Sequence, residues 1–365
     1  MGGGTYTVDV EYSAPGRTYS SVADTTYSGG GSYVNYQGCK GPHPDVHPEP
    51  ERVLKVKHRN PIIVFLDGTG SMGDSAKVAY DKAPMIWGQI EQQRFLADPA
   101  MSLAVVGDEF SDRFPVQVSD FAVGLKIHQE FPKLFLEGCG GRTKEESYEA
   151  AVHYVLDHAK FEVPADHAFA FIVGDEAPYR THGGLSTKVI MDKFGKTWDT
   201  WLLHRKYSSH YPKDDPNIVR AWKQVLDPER IVCFTDMKAI ADIILGIIAI
   251  RTGRRTLEEY AQDMNLRDQT PERIKMIQGV LCNVKPAPGV IVQSATDLAD
   301  LAGLLALLNA PTVDEAVLTI DRLQGRRTAG RPNVAGLYGM LDYLMVDSVG
   351  EAADCIEKLL AGAKP

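Results

Sequence analysis

Three oxygen-bearing side chains follow one another at a spacing of two in the segment Asp67-Gly-Thr-Gly-Ser71. Asp67 offers a carboxylate, Thr69 and Ser71 offer hydroxyls, and alternate residues of a loop can point the same way. Carboxylate and hydroxyl oxygens suit hard divalent cations such as Mg²⁺. The spacing therefore indicates a metal site, provided that the fold holds these three side chains together.

The same residues also allow a purely structural interpretation. Ser71 and Asp74 have the spacing of a capping box, in which side chains satisfy the first turn of a helix. Thr143 and Glu146 have the same spacing before a second candidate helix. Capping does not explain why an Asp precedes Thr69, so both interpretations stay open at this point.

Two buried strands are predicted to position the acidic residues. Residues 62–66 (Ile-Ile-Val-Phe-Leu) are all apolar, which is typical of a strand covered on both faces. A second apolar run, at 169–173, is followed by Gly174 and Asp175. Ligands of open α/β sheets gather beyond the carboxyl ends of the strands. Asp67 and Asp175 are therefore expected at the same edge of one sheet.

Strands and helices alternate along residues 58–253, which predicts an α/β domain with a doubly wound, mostly parallel, Rossmann-like sheet. The predicted strands are 61–66, 101–107, 115–121, 168–174 and 230–235. The predicted helices are 74–96, 123–136, 145–160, 216–226 and 238–251. The segment 180–215 is longer than a usual connection. Its aromatic and His residues at 198–211 favour a helical insertion near the site.

The regions outside this domain differ from it in composition. Residues 1–57 are rich in Gly, Ser, Tyr and Pro without a sustained period, and predict an irregular N-terminal arm. Residues 254–365 show helical periods only, including 257–264 and 271–281, and predict a C-terminal all-helical domain.

The order of these segments resembles that of the von Willebrand factor A family. Its metal-ion-dependent adhesion site begins with Asp-x-Ser/Thr-x-Ser after a buried strand, and adds a Thr from a Gly-rich loop and an Asp after a later strand. The matching residues are Thr143, at the end of Gly138-Cys-Gly-Gly-Arg-Thr143, and Asp175. The resemblance covers residues 58–253, and extends to a bacterial and phage branch in which Glu146-Ser147-Tyr148 starts a helix.

This resemblance implies a metal-dependent protein-binding module without enzymatic activity. Thr69, Ser71 and Thr143 would hold Mg²⁺ or Mn²⁺ directly, and Asp67 and Asp175 would act directly or through water. Few charged ligands leave such an ion electrophilic, with an open coordination position. An Asp or Glu side chain of a protein partner would fill that position.

Two other functions remain open at this stage. Asp67-Gly-Thr-Gly-Ser71 also resembles the aspartyl-phosphate motif of haloacid-dehalogenase-like, Mg²⁺-dependent phosphohydrolases. In that case Asp67 is the nucleophile, and the segment Gly107–Asp112 is the magnesium loop. The separation of the two segments is short for that family, and Gly68 stands where its ion-pumping ATPases have Lys. The second alternative is a metal-free assembly scaffold that keeps only the fold.

Composition limits the other classes of function. The 365 residues carry 39 basic and 48 acidic side chains, a net charge of −9 that argues against nucleic acid as the main partner. The longest apolar run, residues 243–250, is short against the about 20 residues of a membrane span. The five cysteines form no metal-binding pair, and no signal peptide is visible. A cytoplasmic protein without a membrane partner is expected.

Overall fold

The computed structural model describes residues 41–138, 145–207, 215–288 and 290. The strands are β1 Leu54–Val56, β2 Asn60–Asp67, β3 Pro99–Val106, β4 Val116–Val118, β5 Glu145–Glu146, β6 Ala159–Phe161, β7 Phe169–Gly174, β8 Ala177–Pro178, β9 Thr181–His182, β10 Leu185–Ser186, β11 Asp199–Arg205 and β12 Ile231–Phe234. The α-helices are α1 Asp74–Gln93, α2 Ile127–Glu130, α3 Tyr148–His158, α4 Thr187–Phe194, α5 Asp215–Trp222, α6 Ile240–Arg251, α7 Leu257–Leu266 and α8 Pro271–Leu281.

The main sheet has the strand order β12-β11-β7-β2-β3-β4. Its neighbouring strands are parallel except for β3 and β4, which are antiparallel. Counted along the chain, these strands follow the order 3-2-1-4-5-6 of a doubly wound sheet. The predicted fold class is therefore confirmed. In such a sheet the winding reverses between β2 and β7, and the crevice at this switch point is where ligands bind.

The core lies on both faces of β2 because every residue of this strand is buried. Ile63 and Phe65 belong to one apolar cluster with Val152 of α3, Phe194 of α4 and Trp222 of α5. The alternate residues of β2 point to the other face of the sheet and are equally buried. Burial on both faces explains the continuous apolar run of the sequence.

The interpretation of residues 180–215 as a helical insertion is wrong, because part of this segment is a central strand. β11 pairs in parallel with β7 from Asp199↔Phe169 to His204↔Gly174, and with β12 on its other side. Its sequence, Asp-Thr-Trp-Leu-Leu-His-Arg, mixes polar and apolar residues. The strand signal was therefore weak, and pairing with two apolar strands decided the conformation. The β9–β10 hairpin and α4 precede it.

The helix predicted at 123–136 is also wrong. The structure has only the four-residue α2, between 3-10 turns at Gly124–Lys126 and Phe131–Lys133. Gly124 adopts a φ of 54°, which interrupts a right-handed helix. Pro132 lacks the backbone N–H that would continue one. The helix predicted at 145–160 begins only at Tyr148, because residues 145–146 pair with β8 as strand β5.

The flanking regions are described in part. Of the predicted N-terminal arm, residues 54–56 form β1, which pairs in parallel with β6. Of the predicted helical domain, the described residues contain α7 and α8, at the positions predicted from the sequence. Cα proximity places the described residues up to 248 with 275–284 in one compact unit, and 249–274 with those from 285 in another.

Among the described residues, no helix combines the length and apolar character needed to cross a membrane.

Candidate metal centre

The candidate site begins where β2 and β7 end side by side. Asp67 is the last residue of β2, and Asp175 follows the last residue of β7. Both carboxylates have no exposed surface, and Thr69 is 2% exposed. After Asp67 the chain passes through a 3-10 turn at Gly70–Met72 into α1. This places the whole Asp67–Ser71 segment at the switch point of the sheet.

Hydrogen bonds join the predicted residues into one continuous network. Asp67 Oδ1 accepts from the backbone N–H of Thr69 at 2.9 Å and from its hydroxyl at 2.6 Å. The Thr69 and Ser71 hydroxyl oxygens lie 3.2 Å apart. Ser71 in turn donates to Asp175 Oδ1 at 2.8 Å. The structure thus brings together Asp67, Thr69, Ser71 and Asp175, whereas Thr143 lies outside the described residues.

The capping interpretation of Ser71 is wrong. Helix α1 begins at Asp74, and the residue before it, Gly73, makes no side-chain capping bond. The Ser71 hydroxyl is used across the sheet edge, on Asp175. The second candidate capping box begins at Thr143, outside the described residues; among those described, Ser147 directly precedes α3. Its hydroxyl accepts the backbone N–H of Glu109 at 3.0 Å instead of closing the first turn.

Tyr148 completes the hydrogen bonding of Asp67, and the sequence assigned it no role. Its hydroxyl donates to Asp67 Oδ2 at 2.5 Å, and its side chain is 1% exposed. The ring occupies the space beside Gly174, where a Cβ atom would lie 2.0 Å from the Tyr148 hydroxyl. A side chain at position 174 would therefore displace the tyrosine. The Glu146-Ser147-Tyr148 motif was the available signal.

Glu146 is a second residue that was not assigned to the site from the sequence, where its spacing from Thr143 indicated only a capping box. It is 1% exposed, and within the described part of the chain its Oε2 atom has no hydrogen-bond partner. Burial, followed by the negative charges of Asp67, Asp108 and Asp112, raises the pKa of Glu146 to about 10, although a hydrogen bond with Thr69 opposes this. An unpaired buried carboxyl oxygen is costly, and a nearby cation would satisfy it.

The pKa values of the two central carboxyls are also raised. Burial is the main cause at Asp67, opposed by hydrogen bonds from Thr69 and Tyr148. At Asp175, burial and the charge of Asp67 raise the pKa to about 7, and Ser71 and Arg205 oppose the rise. Both pKa values are raised because acidic groups lie close together at a buried site.

One guanidinium partly offsets this charge. Arg205, at the end of β11, places Nη1 3.0 Å from Asp175 Oδ2. Glu176, the residue after Asp175, accepts a hydrogen bond from the Tyr207 hydroxyl. Since β11 was not predicted as a strand, Arg205 could not be assigned to the site from the sequence. Among the described residues, Arg205 pairs with Asp175, and no ion pair is found for Asp67 or Glu146.

The donor set fits a hard divalent cation. It consists of carboxylate and hydroxyl oxygens, which Mg²⁺ and Mn²⁺ prefer, and it includes the unpartnered Oε2 of Glu146. Ser71 is partly exposed whereas Asp67 and Asp175 are fully buried. The network therefore meets solvent on the Ser71 side, where a ligand from outside could enter.

The acids of the alternative magnesium loop have other hydrogen-bond partners. Asp108 accepts from the Phe110 backbone, the Ser111 hydroxyl and the Tyr179 hydroxyl. Asp112 Oδ2 accepts the backbone N–H of Asp108 at 2.7 Å. These bonds tie the loop to itself and to the segment after β8. They give Asp108 a structural role at the end of β3, whereas Asp112 keeps a buried Oδ1 atom without a hydrogen-bond partner among the described residues.

Comparison with known proteins gives distant structural similarity only. No protein-family model matches the sequence, and no curated protein matches it. Proximal thread matrix protein 1 from the mussel byssus is 8% identical over 53% of this chain and 48% of its own, with a TM-score of 0.40. A second structure of that protein, with a zinc-occupied MIDAS motif, is 9% identical over 54% and 48%, with a TM-score of 0.38.

A pilus adhesin, SpaC from Lactobacillus rhamnosus GG, is 8% identical over 60% of this chain and 33% of its own, with a TM-score of 0.40. The chain thus spans about half, or less, of the length of these solved proteins.

Proposed function

We propose that this protein is a metal-dependent protein-binding module. Asp67, Thr69, Ser71, Thr143 and Asp175 hold Mg²⁺ or Mn²⁺, and a carboxylate from a protein partner completes the coordination of the ion. The observation that carries the proposal is the hydrogen-bonded chain from Asp67 through Thr69 and Ser71 to Asp175 at the switch point. The hydroxyls of Thr69 and Ser71 lie between the buried carboxylates of Asp67 and Asp175, so one cation can contact oxygen atoms of all of them.

The charge of the site supports an ion that still attracts a further anion. Thr69 and Ser71 are neutral ligands, and Arg205 already neutralises part of the charge on Asp175. A divalent cation held mainly by neutral oxygens keeps much of its positive charge. An incoming Asp or Glu side chain on the partly exposed Ser71 side then binds more strongly than a neutral group.

The surroundings of Asp67 favour binding over phosphoryl transfer. Oδ1 accepts from Thr69 and Oδ2 accepts from Tyr148, and the side chain is fully buried. A nucleophile needs an oxygen within reach of the phosphorus, and both oxygens of Asp67 are engaged. The phosphohydrolase alternative predicts metal-dependent release of phosphate from p-nitrophenyl phosphate that is lost in Asp67→Asn. Such turnover would replace the binding proposal.

Metal binding is tested by thermal unfolding of the full chain with EDTA, Mg²⁺ or Mn²⁺. A ligand present at a hundred times its Kd and specific for the native state adds about 2.7 kcal/mol of stability. The wild type should gain this stability. Asp67→Ala and Ser71→Ala should not, whereas Ser75→Ala, the same substitution one turn away on α1, should behave like the wild type. An unmoved wild-type midpoint would favour the metal-free scaffold.

The open coordination position is tested separately, with Mn²⁺ as the probe. Bound Mn²⁺ that carries exchangeable water accelerates the relaxation of solvent protons. A short peptide containing one Glu should displace that water and lower the relaxation rate, and the same peptide with Gln should not. Thr143→Ala should weaken both metal and peptide binding. Equal effects of the two peptides would contradict carboxylate capture.

A further inference from the structure

A second group of ligating side chains lies outside the site described above. Glu109 follows β3, Glu149 is the second residue of α3, and His182 ends β9. One ligand atom of each lies within 4.8 Å of the others. We infer that Glu109, Glu149 and His182, here called the Glu–Glu–His cluster, form a second metal site that takes a first-row transition metal such as Zn²⁺.

The buried member of the cluster indicates that a cation belongs there. Glu149 is 1% exposed, and its Oε1 atom has no hydrogen-bond partner among the residues that the structure describes. Its Oε2 atom accepts the backbone N–H of Tyr179, at 3.1 Å. Glu109 adds negative charge beside Glu149, so it does not offset the cost of burying that carboxyl group. A buried carboxyl oxygen without a hydrogen-bond donor is costly, and a bound cation removes that cost.

Three separate elements carry the ligands, and hydrogen bonds hold these elements together. Ser147, before α3, accepts the N–H of Glu109 and donates its own N–H to Gly107 at 3.1 Å. Tyr179 binds Glu149 through its N–H and Asp108 through its hydroxyl, at 2.9 Å. The loop after β3, the start of α3 and the segment before β9 are therefore linked by hydrogen bonds that do not involve a metal. Such preorganisation lowers the cost of ligand binding.

A tight hairpin presents the imidazole. β9 and β10 are antiparallel, with Leu185↔His182 as one paired position. Gly183 and Gly184 form the turn with φ values of 56° and 78°. Two positive φ values in succession are characteristic of a type I′ turn, which requires residues such as Gly. The turn fixes His182 beside α3, where its ring contacts that of His153 with centroids 5.4 Å apart.

The ligand types indicate which metal binds. Two carboxylates with one imidazole suit Zn²⁺ and its first-row neighbours, whereas Mg²⁺ and Ca²⁺ favour oxygen ligands alone. Zinc lies about 2.0–2.2 Å from nitrogen and oxygen ligands, so bound ligand atoms are at most about 4 Å apart. His182 Nδ1 and Glu109 Oε2 are already at 3.1 Å. Since all three ligand atoms lie within 4.8 Å of one another, they need to approach by less than about 1 Å to bind zinc.

The test measures Zn²⁺ binding to the tag-free full chain in millimolar Mg²⁺, by equilibrium dialysis against a zinc buffer. Magnesium occupies oxygen-only sites under these conditions. Even hydrogen-bond partners of metal ligands contribute about 10- to 100-fold to affinity. His182→Asn should therefore weaken Zn²⁺ binding by at least about 100-fold. Ser71→Ala and the control His128→Asn should bind Zn²⁺ as the wild type does.

A second variant distinguishes the loss of a metal ligand from misfolding of the protein. Glu149→Gln removes a ligand but keeps the shape of the buried side chain, so the metal-free protein should unfold at or above the wild-type midpoint. The Zn²⁺-dependent rise in midpoint should be lost. Zinc binding that survives both His182→Asn and Glu149→Gln, or that disappears in Ser71→Ala alone, would overturn the proposal. So would a wild type that binds no Zn²⁺, since Glu149 would then be buried simply as the neutral acid.

Discussion

Removing the hydroxyl of Tyr148 should destabilise the fold through one buried hydrogen bond. In Tyr148→Phe, Asp67 Oδ2 loses the donor that lies 2.5 Å away. Both side chains are almost completely excluded from water, so no solvent molecule replaces the donor. Asp67 keeps its two bonds from Thr69, both to Oδ1, and a hydrogen bond from the Asp175 backbone. The variant therefore removes the tyrosine donor from a buried carboxylate oxygen that water does not reach.

The size of the effect follows from the charge of the acceptor. A hydrogen bond to a charged group contributes about 1.5–3 kcal/mol, and leaving a buried acceptor unpaired costs a similar amount. A loss of about 1.5–3 kcal/mol in the free energy of unfolding corresponds to a fall of about 3–12 °C in Tm for a domain of roughly 150–250 residues. The rest of the ring stays, so no cavity contributes to this figure.

The measurement is thermal and urea unfolding in EDTA, with Tyr154→Phe as the matched control. Tyr154 lies on the same helix, is partly exposed, and places its hydroxyl 3.4 Å from the Glu49 carbonyl. Its loss should cost little. The Mg²⁺-dependent rise in midpoint should persist in Tyr148→Phe, because Tyr148 contacts Asp67 without contributing a ligand. Equal midpoints for Tyr148→Phe and the wild type would refute the reasoning.

Three further predictions concern the same edge of the sheet. Gly174→Ala should destabilise the fold by about 1–3 kcal/mol through overpacking, because the added Cβ would lie 2.0 Å from the Tyr148 hydroxyl. The loss should be smaller in the Tyr148→Phe background, which lacks that hydroxyl. Urea unfolding of the two single variants and the double variant measures this coupling. Arg205→Gln should tighten Mg²⁺ binding by several-fold, because the guanidinium 3.0 Å from Asp175 repels a cation. The same variant should lower the unfolding midpoint of the metal-free protein. Calorimetric titration measures the Mg²⁺ affinity, and weaker binding by the variant would contradict the prediction. Burial raises the pKa of Asp112 to about 6, so the native state holds a proton that the unfolded state loses, and the stability of the wild type falls as pH rises from about 4 to 6. A pKa shift of this size is worth about 3 kcal/mol before solvent screening, so Asp112→Asn should match the wild type near pH 4 and be about 1–2 kcal/mol more stable at pH 8. Equal unfolding curves of the two proteins at pH 8 would contradict this.

The sequence alone determined the central strands and the local ligand spacing. The apolar runs before Asp67 and Asp175 are read without ambiguity because burial on both faces of a parallel sheet removes the polar alternation. The position of both acids at the carboxyl ends of neighbouring strands then follows from the doubly wound topology. Thr69 and Ser71 are only two and four residues beyond Asp67, so the chain itself keeps them close to it.

Only the tertiary structure decided which distant side chains complete the site. Residues 199–205 have the composition of neither a buried strand nor a helix, and their pairing with β7 and β12 made them strand β11. This pairing brought Arg205 to Asp175. Tyr148 reaches Asp67 across 81 residues of chain. Periodicity indicates how one segment is buried, but a contact between segments depends on how all the strands and helices pack together. This is why Tyr148, Glu146 and Arg205 were not assigned to the site from the sequence.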